Sequence, residues 1–221
     1  MSTGIGKHYS GEAGKGYADW QVRWHESLAH IVARKFQPYV GAADTVLDFG
    51  CGGGANLAAI SCARRLGVEP NPHSAQSAIA RGIEVTQTLE PVAPQSVDVV
   101  ISHHALEHTL RPYDELVAMR RVLKRDGRVV VVLPIDDWRS QRRFDSEDIN
   151  HHLYTWTPLL IGNLLVEAGY AVVESRVSNF TWPPKVHLSD KVLPRPVFDA
   201  MAALWSHVTR IREVVAVAKL L

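Results

Sequence analysis

Four short stretches of this sequence combine residue types at spacings that could do chemistry. The first is Asp48-Phe49-Gly50-Cys51-Gly52-Gly53-Gly54. Glycines are needed where a backbone turns sharply and comes close to a ligand. An acid beside them can accept hydrogen bonds from an ammonium group or from ligand-bound water. The second stretch, Gly67-Val68-Glu69-Pro70-Asn71, puts an acid about 20 residues past the first glycines, where a carboxylate suits a ribose diol as a two-point acceptor. Nicotinamide and adenosyl cofactors both carry that diol. A dinucleotide fingerprint can be laid on Gly50, Gly52 and Ala55, against which Asp48 would repel a pyrophosphate.

The third stretch is His103-His104-Ala105-Leu106-Glu107-His108. His104 and His108 lie four apart and would share one face of a helix, a spacing that can hold a metal. Glu107, the best third ligand, would face elsewhere on such a helix, so no metal is expected. The fourth is Ile135-Asp136-Asp137-Trp138, followed by Arg139, Arg142, Arg143 and then His151-His152-Leu153-Tyr154-Thr155-Trp156. Charged and aromatic residues clustered in this way fit a polar acceptor, such as one carrying phosphate or a sugar. They also fit a solvated connector whose Arg and Asp residues pair with one another.

The elements that must position these stretches follow from periodicity. Val22, Leu28, Ile31, Val32 and Phe36 recur at helical spacing before Pro38 and Gly41. Thr45–Phe49, Arg65–Glu69, a weak Gly82–Gln87, Val97–Ser102, Val129–Leu133, Ala171–Val177 and Glu213–Ala218 read as strands. The runs VVI and VVVVL are continuous rather than alternating, which marks strands covered on both faces. Helices are expected over Pro72–Arg81, Pro112–Lys124 (closed by Arg125-Asp126-Gly127), Thr157–Ala168 and Val197–His207. This alternation predicts an α/β domain with a mostly parallel sheet, whose ligands bind beyond the carboxyl ends of the strands. One domain with peripheral decoration is expected: residues 1–40 as an N-terminal lid segment and helix, and 41–221 as the domain proper. The latter carries a proline-bearing cap insertion at about 180–210. Phe198, Met201, Leu204 and Trp205 would serve equally as core or as the face of a homodimer.

Composition narrows the field. The 221 residues are 46% hydrophobic and 21% charged with a net charge of +1, values that exclude a disordered or fibrous chain. The balance gives no reason to expect nucleic acid or an anionic membrane as partner, although Arg120, Arg121, Lys124, Arg125 and Arg128 form a local basic group. Cys51 and Cys62 make neither a disulfide framework nor a CxxC motif. No apolar run approaches the roughly 18 residues of a membrane span, and the first 20 residues show no secretory pattern. A soluble, cytoplasmic protein is expected.

Taken together and in order, VLDFGCGGG, GVEPN, SVDVVISHHALEH and LKRDGRVVVVLP resemble the successive motifs of the class I S-adenosylmethionine-dependent methyltransferases, over roughly Thr45 to Leu133. The HxLEH segment is similar to that of the small-molecule type. The resemblance implies a Rossmann-like, doubly wound, seven-stranded sheet, mostly parallel with an antiparallel last strand, and helices on both faces. It implies S-adenosylmethionine as cofactor and S-adenosylhomocysteine as product. The loop of Gly50, Cys51 and Gly52 would pack under the methionine part, Asp48 would meet its amino group, and Glu69, with Pro70 beside it, would bind the ribose. Leu89 or Glu90 would lie near the adenine and His103 near the sulfonium. Tyr17, with Tyr9 and Trp20, would belong to a segment folded over the cofactor. The implied reaction is methyl transfer to a small polar acceptor, with oxygen the acceptor atom. A hydroxyl acceptor needs a base near neutral pH, for which histidine is suited; the candidates are His104 first, then His108, His151 and His152. A nicotinamide-dependent oxidoreductase and a non-catalytic cofactor-binding interaction protein are the alternatives.

Overall fold

The computed structural model describes residues 14–16, 26–137, 139 and 141–221. Tyr9, Tyr17, Trp20 and Trp138 lie outside the described residues. Seven strands form one sheet in the order β3-β2-β1-β4-β5-β7-β6. They are β1 (Thr45–Phe49), β2 (Arg64–Val68), β3 (Glu84–Thr86), β4 (Val97–His103), β5 (Leu123–Ile135), β6 (Tyr170–Ser178) and β7 (Arg212–Leu220). Strands β1 to β5 are parallel, and β7 runs antiparallel between β5 and β6. The order reverses between β1 and β4, so the loops after these two strands face the same crevice.

The continuous valine runs have a direct structural meaning. Val129, Val131 and Leu133 of β5 enter one core, with Leu116, Met119 and Val122 of α4 (Pro112–Val122) and Ile161 and Leu165 of α5 (Pro158–Glu167). Val130 and Val132 enter the opposite core. There they meet Val32 and Phe36 of α1 (Ala29–Phe36), Leu57 of α2 (Ala55–Ala58) and Ala78 of α3 (Pro72–Ala80). A strand whose side chains alternate between two dry layers has no polar face to show in its sequence.

The insertion between β6 and β7 holds two helices, α6 (Val186–Val192) and α7 (Arg195–Thr209). The first has no counterpart in the sequence reading. Phe198 of α7 is buried against Leu28 and Ile31, with Phe180, Trp182 and Met201 packed around them. Leu204 and Val208 remain exposed on the outer face, so α7 uses only one side for this packing.

One expectation fails at a boundary. Helix α4 ends at Val122 rather than Lys124, and Leu123 already pairs with Val97. The ladder resumes at Arg128 opposite Val99, so residues 124–127 loop out opposite Asp98. Lys124 Nζ donates to both oxygens of Asp98 at 2.8 and 2.7 Å, and the Thr45 N–H donates to Oδ2 at 2.9 Å. A Cβ on Gly127 would lie 2.9 Å from the Lys124 carbonyl oxygen and 3.1 Å from that of Asp98. The detour therefore closes only around a glycine.

Candidate active site

At the cofactor end, strand β1 delivers Asp48 and then turns through Gly50 at φ +77 and Gly54 at φ +79. A Cβ at Gly50 would sit 2.4 Å from the Ala105 Cβ, and one at Gly54 2.5 Å from Ile83 Cδ1. No side chain fits either place. Glu69, just past β2, accepts the Gly52 N–H on Oε2 and the Asn71 N–H on Oε1, each at 2.8 Å. Its carboxylate thereby holds the glycine loop to the start of α3. Burial raises the Glu69 pKa, and these two hydrogen bonds work against that shift. Asn71 in turn accepts the His73 N–H at 3.0 Å, and its Nδ2 donates to the Gly14 carbonyl at 2.7 Å. Gly14 belongs to the described turn 14–16 of the N-terminal segment, which thus reaches the same loop.

Asp48 is buried and its Oδ1 has no hydrogen-bond partner. Burial, reinforced by the Glu69 charge, pushes its pKa up to about 7. A buried oxygen without a donor is costly in the ligand-free chain and is suited to an ammonium group. An acid without a donor and a second acid held on the loop suit a ligand that carries both an amino group and a ribose. Cys51 is buried, and its thiol pKa is raised by burial and by Asp48 and Glu69, so it is a packing group rather than a nucleophile. Pro70 is half-buried beside Glu69. The Leu89 side chain lies in the core with Phe49, Val68 and Leu106, its carbonyl accepting from Arg121 Nη2 at 2.6 Å, while Glu90 is exposed.

At the other end, β4 delivers His103, and His104 follows at φ +50. The two rings stack at 4.3 Å with an interplanar angle of 4°. Beneath them lies Glu213 from the start of β7. His104 Nε2 is 3.2 Å from Glu213 Oε1, off hydrogen-bond geometry, and His103 Nε2 is 3.8 Å from the same oxygen. Lys35 of α1 donates to both Glu213 oxygens at 2.6 and 2.7 Å and lies 4.5 Å from the Phe180 ring centroid. Burial raises the Glu213 pKa, but Lys35 and the two histidines outweigh it and hold the carboxyl well below its usual value. His103 is driven the other way: burial and the adjoining His104 lower its pKa to about 3, so it stays neutral. The His104 side chain is 35% exposed. It opens on a cleft of about 910 Å³ whose wall includes Asp136, Phe180, Trp182, Arg212 and Glu213.

The remaining histidines divide. His108 and His152 come together, ring centroids 5.0 Å apart, beside the buried Glu107. His152 Nδ1 is hydrogen-bonded to Asp136 Oδ2 at 2.9 Å. Burial opposes the charged imidazole, yet that bond and the nearby carboxylates raise the His152 pKa. His151 sits on an exposed turn at φ +47, its N–H donating to Asp148 at 3.1 Å. The segment 106–108 is a single 3₁₀ turn rather than an α-helix, which changes the facing of Glu107 on which the metal argument depended. Sequence reasoning missed Lys35 and Glu213. The one signal for Glu213 is an acid at the head of an otherwise apolar strand, EVVAVA.

Three kinds of comparison bear on what this arrangement does. Residues 47–131 match a family profile described as a methyltransferase domain. A search of curated proteins returns no significant match. Among solved structures, a Haloferax volcanii protein described as a methyltransferase, in complex with the Trm112 methyltransferase activator, is 20% identical with a TM-score of 0.66, over 93% of this chain and 95% of that one. An Archaeoglobus fulgidus S-adenosylmethionine-dependent methyltransferase is 18% identical with a TM-score of 0.65, over 92% and 99%. The Burkholderia thailandensis 1,6-didemethyltoxoflavin-N1-methyltransferase, solved with its substrate and S-adenosylhomocysteine, is 17% identical with a TM-score of 0.62, over 94% and 84%. These likenesses establish the shared fold, and the domain match assigns the reaction class that the glycine loop and Glu69 alone left open between hydride and methyl transfer. Among the described residues no helix is long and apolar enough to cross a membrane. With this strand order and the match over residues 47–131, the chain carries a methyltransferase domain in the fold of the class I S-adenosylmethionine-dependent methyltransferases.

Proposed function

We propose that this enzyme methylates a hydroxyl of a small polar acceptor seated in the cleft between His104 and the β6–β7 insertion, with His104 as general base. The observation that carries this reading is the Lys35–Glu213–His104 arrangement at the end of β4. A carboxylate held ionised beside Nε2 favours the tautomer protonated there and leaves Nδ1 to accept a proton. The bound cofactor supplies an electrophilic methyl group on a sulfonium. The chain's task is then to align the acceptor oxygen, take its proton and keep water out. Phe180 and Trp182 pack edge to face at 5.6 Å and give the cleft an apolar wall. Arg212 lines the cleft with a buried Nε that lacks a partner, which supports an acceptor carrying an anionic group.

Asp48, Gly50, Cys51, Gly52, Glu69 and Pro70 form the cofactor end in this reading, with Leu89 behind the adenine and His103 by the sulfonium. His108 and His152 stand one step back from His104, and His151 is the outermost candidate. The turn 14–16, tied to Asn71 through the Gly14 carbonyl, stands at the cofactor end, and the insertion caps the acceptor. RNA is disfavoured because Arg120, Arg121 and Lys124 of the basic group are engaged by the Ala168 carbonyl, the Leu89 carbonyl and Asp98. The test is transfer from methyl-labelled S-adenosylmethionine into a size-fractionated cell extract. Label in the small-molecule fraction, absent with His104→Ala, is expected; label only in protein or RNA would overturn the acceptor class.

A further inference from the structure

We infer that Glu107, His108 and His152 form a binding site for a divalent first-row transition cation at the border of the cleft. One ligand atom from each residue lies within 4.8 Å of the others. Glu107 and His108 stand on the Leu106–His108 turn. His152 is brought to them from the segment after β5, where the Leu153 N–H donates to the Glu107 carbonyl at 2.9 Å.

Two independent observations point to a ligand. The Glu107 side chain is fully buried, and neither carboxylate oxygen has a hydrogen-bond partner. A buried carboxylate without donors is among the costliest arrangements a protein can hold unless a counter-charge arrives. His152, for its part, has Nδ1 fixed by Asp136 at 2.9 Å, which leaves the Nε2 lone pair as its ligand atom. A carboxylate behind an imidazole is the usual support of a metal-binding histidine. Asp136 is itself steadied through its N–H, which donates to Thr155 Oγ1 at 2.9 Å.

The donor set decides the class of ion. Two imidazoles and a carboxylate suit Zn²⁺, Co²⁺, Mn²⁺ or Fe²⁺ rather than Mg²⁺ or Ca²⁺, which take all-oxygen ligands. Bonds of about 2.1 Å place tetrahedral donors about 3.4 Å apart, so the three side chains draw in by about an ångström on binding. The neighbouring cluster of His103, His104 and Glu213 has a similar spacing. Its carboxylate is already neutralised by Lys35 at 2.6 Å, and that ammonium would repel a second cation. Three protein ligands leave coordination positions open, and Asp136 lines the cleft. The cation could therefore also bind an acceptor oxygen, a consequence that rests on the proposed acceptor, whereas the binding itself does not.

The experiment measures binding without turnover. Full-length chain without a histidine tag, stripped of metal by chelator dialysis, is titrated with Co²⁺ and with Zn²⁺. One Co²⁺ per chain, visible d–d absorption and a raised melting temperature are expected. Glu107→Gln and His152→Ala should each weaken binding about 100-fold, and Asp136→Asn about 10-fold, as supporting carboxylates do. Glu107→Gln removes a buried charge, so its apo form should be at least as stable as wild type; it carries the test if His152→Ala folds poorly. Absence of stoichiometric binding by either ion would overturn the site, and so would unchanged affinity in both variants. Loss of binding in His103→Ala with Glu107→Gln unaffected would assign the ion to the other cluster and also overturn it.

Discussion

At the cofactor end of the crevice, Asp48 and Glu69 sit at the ends of two adjacent parallel strands, and backbone N–H groups of Gly52 and Asn71 hold the second acid in place. At the acceptor end, His104 meets Glu213 from 109 residues away and, through it, Lys35. The first region is built by backbone turning within two short consecutive motifs. The second is assembled from side chains of α1, β4 and β7, which meet only because β7 inserts beside β5. A backbone-built site tolerates few residue types and leaves a legible pattern, whereas a side-chain-built site asks only that the right groups arrive at one place.

That contrast predicts a division of labour, tested first where the effect is largest. His104→Ala should lower kcat by about 10²–10⁴-fold, the usual contribution of a general base, while S-adenosylhomocysteine affinity by calorimetry stays within about twofold of wild type. A matching loss of cofactor affinity would erase the distinction between the two ends. Glu69→Ala should do the reverse. It removes the acceptor of two charge-assisted hydrogen bonds as well as the carboxylate proposed for the ribose, each worth about 1.5–3 kcal/mol, so S-adenosylhomocysteine affinity should fall by at least about 100-fold.

Glu213→Gln sharpens the comparison on the acceptor side. It leaves the Lys35 ammonium half-buried without a counter-charge, a loss of about 3 kcal/mol, measurable as a lower urea midpoint together with about a tenfold fall in kcat. Because folding depresses the Glu213 pKa, its stabilisation is present above the ordinary value of 4.5 and is lost as the pH falls through the folded value. In the variant that acid-side loss should be smaller. The paired variant Lys35→Met with Glu213→Leu should recover stability without recovering kcat. Recovery of both would reduce the pair to a structural bridge.

The smallest effect is expected at Asp48 in the ligand-free chain. Folding raises its pKa from 3.8 to about 7, so its contribution to stability is fully present below 3.8 and is lost as the pH rises through about 7. Asp48→Asn should flatten that decline, raising the melting temperature by a few degrees at pH 8 and leaving it nearly unchanged at pH 4, while weakening cofactor binding. A variant less stable than wild type at pH 8 would show that Asp48 already has a donor in the free enzyme.

Particular residues show why some of this was legible in advance. The β5 run VVVVL could be read as a two-faced strand because both cores demand apolar residues. Gly50 could be read as a required turn, since a Cβ there meets Ala105. Lys35 could not be distinguished from any lysine near the end of an amphipathic helix. His151 and His152 are chemically identical neighbours, and only the turn at residue 151 sends one outward and the other against Asp136. Lys124 reads as helical by propensity, yet its bond to Asp98 belongs to a detour in β5.

The sequence by itself determined the parallel α/β order and the glycine loop with its two acids. These depend on local backbone geometry and on periodic burial, which restrict residue type position by position. The tertiary structure alone decided which histidine lies over a buried carboxylate, which lysine neutralises that carboxylate, and which residues wall the cleft. Such contacts join groups far apart along the chain, and the energy that selects them depends on distance and burial in the folded state, quantities that no local pattern encodes.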